Sequence, residues 1–352
     1  MSKVLFISQN GDLLPLAERV ELEGHGVTLH ICNSFYTSRG RGNVKARSAT
    51  SVGLLQEENV VNQKNIEDLL QKVSPDICVT DGGMGRVGEV VRRMGVQTWG
   101  SDRWSELVFG EYERNLLKSI NVKPLPQPTP GDASFGVGAF SDGDILYNPF
   151  LAVTEVGLQN KGVGVQGDGG VCVQALHAGH PLLKELYKLE EVIKRVSYKG
   201  MLLLSSHLEV GFSLPLFACM YELTKGKLLD VLKGRKDDVT KEWASATRIS
   251  LPPFPIPSDI RYVKHVSVVK GAAKHIWFVD ASNSDIGICD GNVGWVSARG
   301  GEQEKEEFTP LREARRRTLR TITNMKNEND LKELQYRTDV GVRSAQILAT
   351  YE

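Results

Sequence analysis

Three glycine-bearing segments hold the residues best suited to chemistry. Asp81-Gly82-Gly83-Met84-Gly85 follows the apolar run Ile77–Thr80 and precedes a helical pattern that opens at Arg86. A glycine turn between strand and helix lets backbone N–H groups approach an anion, and the helix N-terminus adds its dipole. Arg86 would add a guanidinium fork at the same spot. A tight βα turn would need those glycines too, with no ligand at all. Asn10-Gly11-Asp12 occupies the same place after the run Lys3–Ser8, and there Asp12 serves equally well as a helix N-cap. Asn160–Gly170 carries five glycines in eleven residues. Its Gly167, Asp168, Gly169 and Gly170, with Lys161 as counter-charge, read either as a phosphate cradle or as a plain surface loop.

Acid–base candidates are fewer. His207 lies two residues from Glu209, a pair that could move protons or could simply end a strand. His177 and His180 are three apart, but no third ligand stands at a metal-binding spacing. A basic patch for nucleic acid would combine Arg39, Arg41, Lys45 and Arg47 with Arg312, Arg315, Arg316 and Arg320. The second group falls on one face of a helical segment, Pro310–Lys326, which is also what a solvated helix surface looks like.

The elements that must position these residues alternate between β and α at the start. Lys3–Ser8 and Val27–Cys32 read as strands around the helix Leu13–Glu23, whose Leu13, Leu16, Ala17 and Val20 recur at helical spacing. Ile66–Val73 and Arg86–Met94 read as helices, with Ile77–Thr80 and Val96–Trp99 as strands. Arg39–Arg47, polar and glycine-bearing, reads as a loop. Residues 1–105 therefore predict a doubly wound parallel sheet. Ligands of such sheets bind beyond the carboxyl ends of the strands, so the first two glycine segments would share one crevice. Residues 106–131 read as a helix followed by a linker with Pro124, Pro126, Pro128 and Pro130. Residues 132–245 predict an α+β region with a hairpin at Ser141–Asp144 and helices over Pro181–Val196 and Leu214–Lys233. Residues 246–352 predict a smaller β-rich domain closed by the basic helix.

The chain of 352 residues is 41% hydrophobic and 24% charged, ordinary for a globular protein and far from disorder. Lysine plus arginine equals aspartate plus glutamate at 43 each, so net charge argues neither for nor against nucleic acid. No apolar run is long enough to cross a bilayer or to serve as a signal-peptide core, so we expect a cytoplasmic protein with no membrane partner. The five scattered cysteines include no CxxC and read as small buried residues.

The stretch from Asp76 to Pro124 resembles the start of phosphoribosylamine–glycine ligase, a member of the ATP-grasp superfamily. The matching pieces are Asn10-Gly11, Asp81–Gly85, Trp99-Gly100-Ser101 and Asn115–Pro124. Asp132–Leu146 (DASFGVGAFSDGDIL) is similar to the family's "EASF…DG" hairpin, and Gly162–Cys172 to its glycine-rich sugar-phosphate loop. The resemblance covers most of the chain. It implies a reduced ATP-grasp-like core behind the parallel sheet, and a substrate pair of an amino acid with a phosphorylated nucleotide-type molecule.

The departures carry as much information. The family places several tens of residues, the nucleotide lid, where only Leu125–Gly131 stands here. Its Mg²⁺ carboxylates are reduced to Glu209, and Gly211 replaces the accompanying Asn. Mg²⁺ is held mostly through one or two carboxylates plus substrate phosphates, and one isolated Glu makes a poor site. The expectation is a transferase of an amino acid, glycine first, that uses no ATP of its own. Its partner substrate would arrive activated by phosphate or pyrophosphate, as in the thymine hypermodification of phage DNA. The alternatives are an ATP-dependent phosphoribosylamine–glycine ligase and a non-catalytic nucleotide-binding protein.

Overall fold

The computed structural model describes residues 1–41, 44–48, 54–55, 60–61, 63–119, 133–160, 168–177, 179–205, 208–224, 228–232, 242–255, 262–301, 310–342 and 344. The amino-terminal part runs β1 (Lys3–Ser8), α1 (Leu14–Leu22), β2 (Gly26–Ile31), β3 (Gly40–Arg41), β4 (Val44–Ser48), β5 (Leu54–Leu55) and β6 (Val60–Val61). It continues through α2 (Gln63–Val73), β7 (Ile77–Thr80), α3 (Gly85–Arg93), β8 (Gln97–Trp99) and α4 (Arg103–Ser119). Strands β4, β2, β1, β7 and β8 lie side by side and parallel, as the alternating pattern predicts. β1 is buried from Val4 to Ser8 because helices cover both faces, so its sequence is a continuous apolar run. The segment expected as a loop at Arg39–Arg47 instead supplies β3 and β4. β4 pairs parallel with β2 through Ala46 opposite Leu29.

The second part is β9 (Ala133–Asp142), β10 (Leu146–Val156), β11 (Asp168–Ala175), α5 (Lys184–Tyr187), α6 (Glu190–Val196), β12 (Lys199–Leu204) and β13 (Leu208–Gly211). Then come α7 (Leu214–Leu223) and α8 (Leu228–Leu232). The rest is β14 (Trp243–Ser250), β15 (Lys264–His265), α9 (Lys270–Ala273), β16 (Ile276–Phe278), β17 (Ala281–Ser282), β18 (Asp285–Ile286), β19 (Gly294–Arg299), α10 (Pro310–Glu328) and β20 (Gln335–Tyr336). The large second sheet has the order β13-β12-β9-β10-β11-β14-β19-β16 and is antiparallel throughout.

The boundary expected at residues 245 and 246 falls inside β14, a strand of this sheet. The carboxyl-terminal chain also reaches the first sheet, where β17 pairs parallel with β3 through Ser282 and Gly40. One apolar core consequently serves both sheets. It joins Phe6, Leu16 and Val20 to Phe140, Phe217, Trp277 and Trp295. Trp99 at the end of β8 packs edge-on to Phe217, 5.9 Å between ring centres, at the seam. The seam is pinned by Gly100 N–H donating to Lys199 O at 2.7 Å and by Arg92 Nη1 donating to Val196 O at 3.2 Å.

Candidate functional site

The loops after β1 and β7 meet at the carboxyl ends of their strands, and Asp81 ties them together. Ser8 Oγ and Gln9 N–H both donate to Asp81 Oδ2, at 2.7 and 2.6 Å. Ser8 Oγ also accepts from Gly11 N–H at 2.8 Å. Gly11 sits at φ +89°, and a Cβ there would lie 2.8 Å from Ile31 Cδ1 and 3.1 Å from Arg39 Cδ, so the turn requires glycine. Asp81 Oδ1 is buried and accepts no hydrogen bond from the described residues. Burial, with a lesser push from the Asp12 charge, drives the Asp81 carboxyl up to about 7, while Ser8 and Gln9 pull the other way.

Arg39, expected on a basic surface, is instead interior, only 1% exposed. Its guanidinium lies 3.6 Å from Asp12, 3.5 Å from Asp280 and 3.1 Å from Asp290, stacks over Tyr36, and donates to Asn10 O. A guanidinium among three carboxylates is a structural hub, with no charge left for a DNA phosphate. Arg41 also turns inward, to Glu18 at 2.9 Å and over the Phe278 ring. The side chains of Lys45 and Arg47 lie outside the described residues.

Arg248, missed from sequence, links the third glycine segment to this place. Its Nε donates to Asp168 O at 2.7 Å and its Nη1 to Asn292 Oδ1 at 3.2 Å, and it stacks over Trp295. Asp168, Asp12 and Asp290 are its charged neighbours, and Asp12 is in turn a charged neighbour of Asp81, so the three glycine segments bring their carboxylates to one place. A lone Arg in a strand gives no sequence signal of this.

The other glycines divide. Gly82 and Gly83 are exposed, with open space where a Cβ would be. Gly85 is buried against the Glu106 carboxylate, which already lies at the start of α3, and Arg86 beside it is exposed. Gly169 and Gly170 belong to β11 and are packing positions. A Cβ on Gly169 would overlap Gly157 O, and one on Gly170 would meet Val340. Lys161, Gly167 and His207 lie outside the described residues. Glu209 is exposed on β13. His180 Nδ1 accepts from Leu182 N–H, so this ring caps a short 3₁₀ turn. On α10, Arg315 donates to Thr338 O, Arg316 binds Glu313 and Arg312 is exposed, while Arg320 opens onto a separate cleft. The six of these cations whose side chains are described thus do not form one face, since Arg39 and Arg41 turn inward.

Glu209 is the only remnant of the implied Mg²⁺ carboxylates, and Gly211 explains why. Gly211 sits at φ +123°, which L side chains rarely adopt, with its would-be Cβ 3.1 Å from Gly82 Cα, so the Asn that the resemblance implies would be strained there. Among the described residues no group of three or more His, Cys, Asp or Glu is arranged to hold a metal ion. This donor set does not fit the magnesium nucleotide that the resemblance implies. Nor is any described helix long and apolar enough to cross a membrane.

Comparison with solved structures places this architecture among ATP-grasp folds. The chain is similar to phosphoribosylamine–glycine ligase from Thermotoga maritima, with a TM-score of 0.58 at 12% identity, covering 96% of this chain and 100% of that one. It is also similar to the biotin carboxylase domain of a single-chain bacterial carboxylase, with a TM-score of 0.59 at 11% identity, covering 93% and 89% of the two chains. Urea carboxylase from Kluyveromyces lactis matches with a TM-score of 0.57 at 11% identity over 94% of this chain, which spans 31% of that enzyme. At such identities the likeness shows the fold. No protein-family model matches the sequence, and no curated protein matches it.

Proposed function

We propose that the protein joins an amino acid, glycine first, through its amine to a nucleotide-type substrate that already carries a phosphate or pyrophosphate leaving group. The length of chain between α4 and β9 carries this reading. The helix ends at Ser119 and the strand begins at Ala133, leaving 13 residues where the resemblance implies a nucleotide lid of several tens. That length argues against activation by ATP bound under such a lid.

The charge of the crevice supports the amine half. Asp12, Asp81, Asp168 and Asp290 gather there with the guanidiniums of Arg39 and Arg248, so carboxylates outnumber cations. A site of this sign favours an ammonium group over a second anion. Asp81, with one oxygen unengaged and its carboxyl near 7, is suited to take the proton of the attacking amine. The amine nitrogen attacks the carbon that bears the leaving group, and a C–N bond forms as the C–O bond breaks. Pyrophosphate departs with the bonding pair, and the proton passes to Asp81. A free phosphorylated substrate is favoured over a base in duplex DNA, because Arg39 and Arg41 are engaged inside the protein.

The test is incubation with labelled glycine and phosphoribosyl pyrophosphate, with and without ATP and Mg²⁺. The expected result is a C–N product without ATP, with one pyrophosphate released per bond. Product that strictly requires ATP and releases ADP would establish the ATP-dependent ligase instead. Tight binding with no product would establish a nucleotide-binding protein.

A further inference from the structure

A cleft of about 520 Å³ opens at the edge of the antiparallel sheet, between α7 and α10. β16 covers β19 only from Gly294 to Val296, so Ala298 and Arg299 run on beyond it. Glu222 from α7, Lys274 and His275 ahead of β16, Arg299, and Arg317 and Arg320 of α10 line the space. The cleft lies away from the crevice. Arg19, in the last turn of α1, donates to Ala273 O and Ile276 O, so the chain around Lys274 sits at the carboxyl end of that helix. Asn10 and Gly11 precede its other end, and nine helical residues span about 13 Å.

The rim is cationic. Lys274 and Arg320 are exposed and have no acidic partner among the described residues. Arg299 is 3.9 Å from Glu242, and Arg317 shares Glu313 with Arg316. The floor is acidic. Glu222 is 8% exposed, and its Oε1 accepts both from Ser297 Oγ at 2.7 Å and from His275 Nδ1 at 2.8 Å. Ser297 is fixed in turn by the Trp277 indole N–H at 2.9 Å. Both donors fall on one oxygen, and Oε2 accepts none from the described residues.

We propose that this cleft binds a small phosphate ester bearing hydroxyl groups, a sugar phosphate or a nucleotide. Its phosphate lies on Lys274, Arg299 and Arg320, and a ligand hydroxyl donates to Glu222 Oε2. The volume is that of a small-ligand site. Guanidinium forks match phosphate oxygens, and a lysine adds a point charge. The acidic floor selects against a bare anion, which would face Glu222 with like charge, and selects for one that also offers a donor. The site is independent of the reaction proposed above, since it shares no residue with the crevice.

Isothermal titration with ribose 5-phosphate tests it, using the full chain and the double variant Lys274→Ala/Arg320→Ala. We expect the wild type to bind ribose 5-phosphate more tightly than inorganic phosphate. The double variant should bind it at least about tenfold more weakly, the loss expected for two charge-assisted contacts. Arg320→Gln keeps most of the side-chain stem and should weaken binding severalfold, as a check should the double variant fold poorly. Equal affinity in the wild type and Arg320→Gln, or no binding to the wild type at millimolar ligand, would overturn the proposal.

Discussion

Two carboxylates sit near strand ends, Glu155 fully buried and Asp81 half-buried, and the protein treats them in opposite ways. Glu155, near the end of β10, is fully enclosed and fully satisfied. Its Oε2 accepts from Arg337 at 3.0 Å, and its Oε1 accepts from Gly341 N–H at 2.7 Å and Ser344 Oγ at 2.9 Å. Arg337 itself spans Val156 O, Gly157 O and Asp339. Asp81 has two donors on one oxygen and none on the other. A buried charge with all its partners fixes structure, here holding the carboxyl-terminal segment to β10. A buried carboxyl with an oxygen to spare is held near the protonation change that a reaction can use.

The sharpest way to break this comparison is to strip the satisfied carboxylate of its cation. Arg337→Met leaves Glu155 as an uncompensated charge at 0% exposure. Loss of one partner of a buried pair costs about 3–5 kcal/mol, and we expect that fall in stability from urea unfolding. A cost below about 1 kcal/mol would mean that the segment is held by packing, such as Val340 against Gly170.

The opposite sign is expected at Asp81. Its folded carboxyl is raised to about 7 from an ordinary value of 3.8. The native state therefore holds a proton that the unfolded chain releases near pH 4. Between about pH 4 and pH 7 the folded state binds more protons, so wild-type stability falls as pH rises through that window. Asp81→Asn carries no such proton. It should match the wild type near pH 4 and exceed it at pH 8 by about 1–4 kcal/mol, the upper figure being the full shift at ~1.4 kcal/mol per unit. The same variant should lower turnover by about 100-fold or more if Asp81 accepts the amine proton. A pH-stability curve parallel to the wild type would show that Asp81 is ordinary.

The parallel sheet was legible because local patterns made it. β1, α1 and β2 each carry their own periodicity, and Asp81 follows a strand and precedes a helix, where ligands of such sheets bind. The environment of that site was not legible. Arg39 stands in a polar, glycine-bearing stretch that reads as solvated. It is buried by Asp280 and Asp290, which lie more than two hundred residues away in sequence. β4 was missed because its Lys45 and Arg47 break the apolar run. β15, β17 and β18 span two residues each, too few to show any period. The boundary drawn through β14 failed for a related reason. Strand pairing between distant segments leaves no mark in composition.

A third carboxylate sharpens the contrast from the exposed side. Glu313 on α10 is held down to about 2, chiefly by the hydrogen bond from Arg316 and then by that from Arg317, at 2.7 Å each. Its depression is clear, yet both partners are largely in solvent, 64% and 47% exposed, where water screens the pair. A depressed carboxylate contributes stability above its unfolded value near 4.5, and loses it as pH falls toward 2. We expect Glu313→Gln to cost less than about 1 kcal/mol at pH 7, less still in high salt, and nothing at pH 2. Thermal unfolding at the two pH values measures it. A loss as large as that of Arg337→Met would mean that geometry alone, without burial, sets what an ion pair contributes in this protein. The expected ranking assigns that role to desolvation, which raises the stakes at Glu155, leaves Asp81 poised, and is outweighed at Glu313 by its arginine hydrogen bonds.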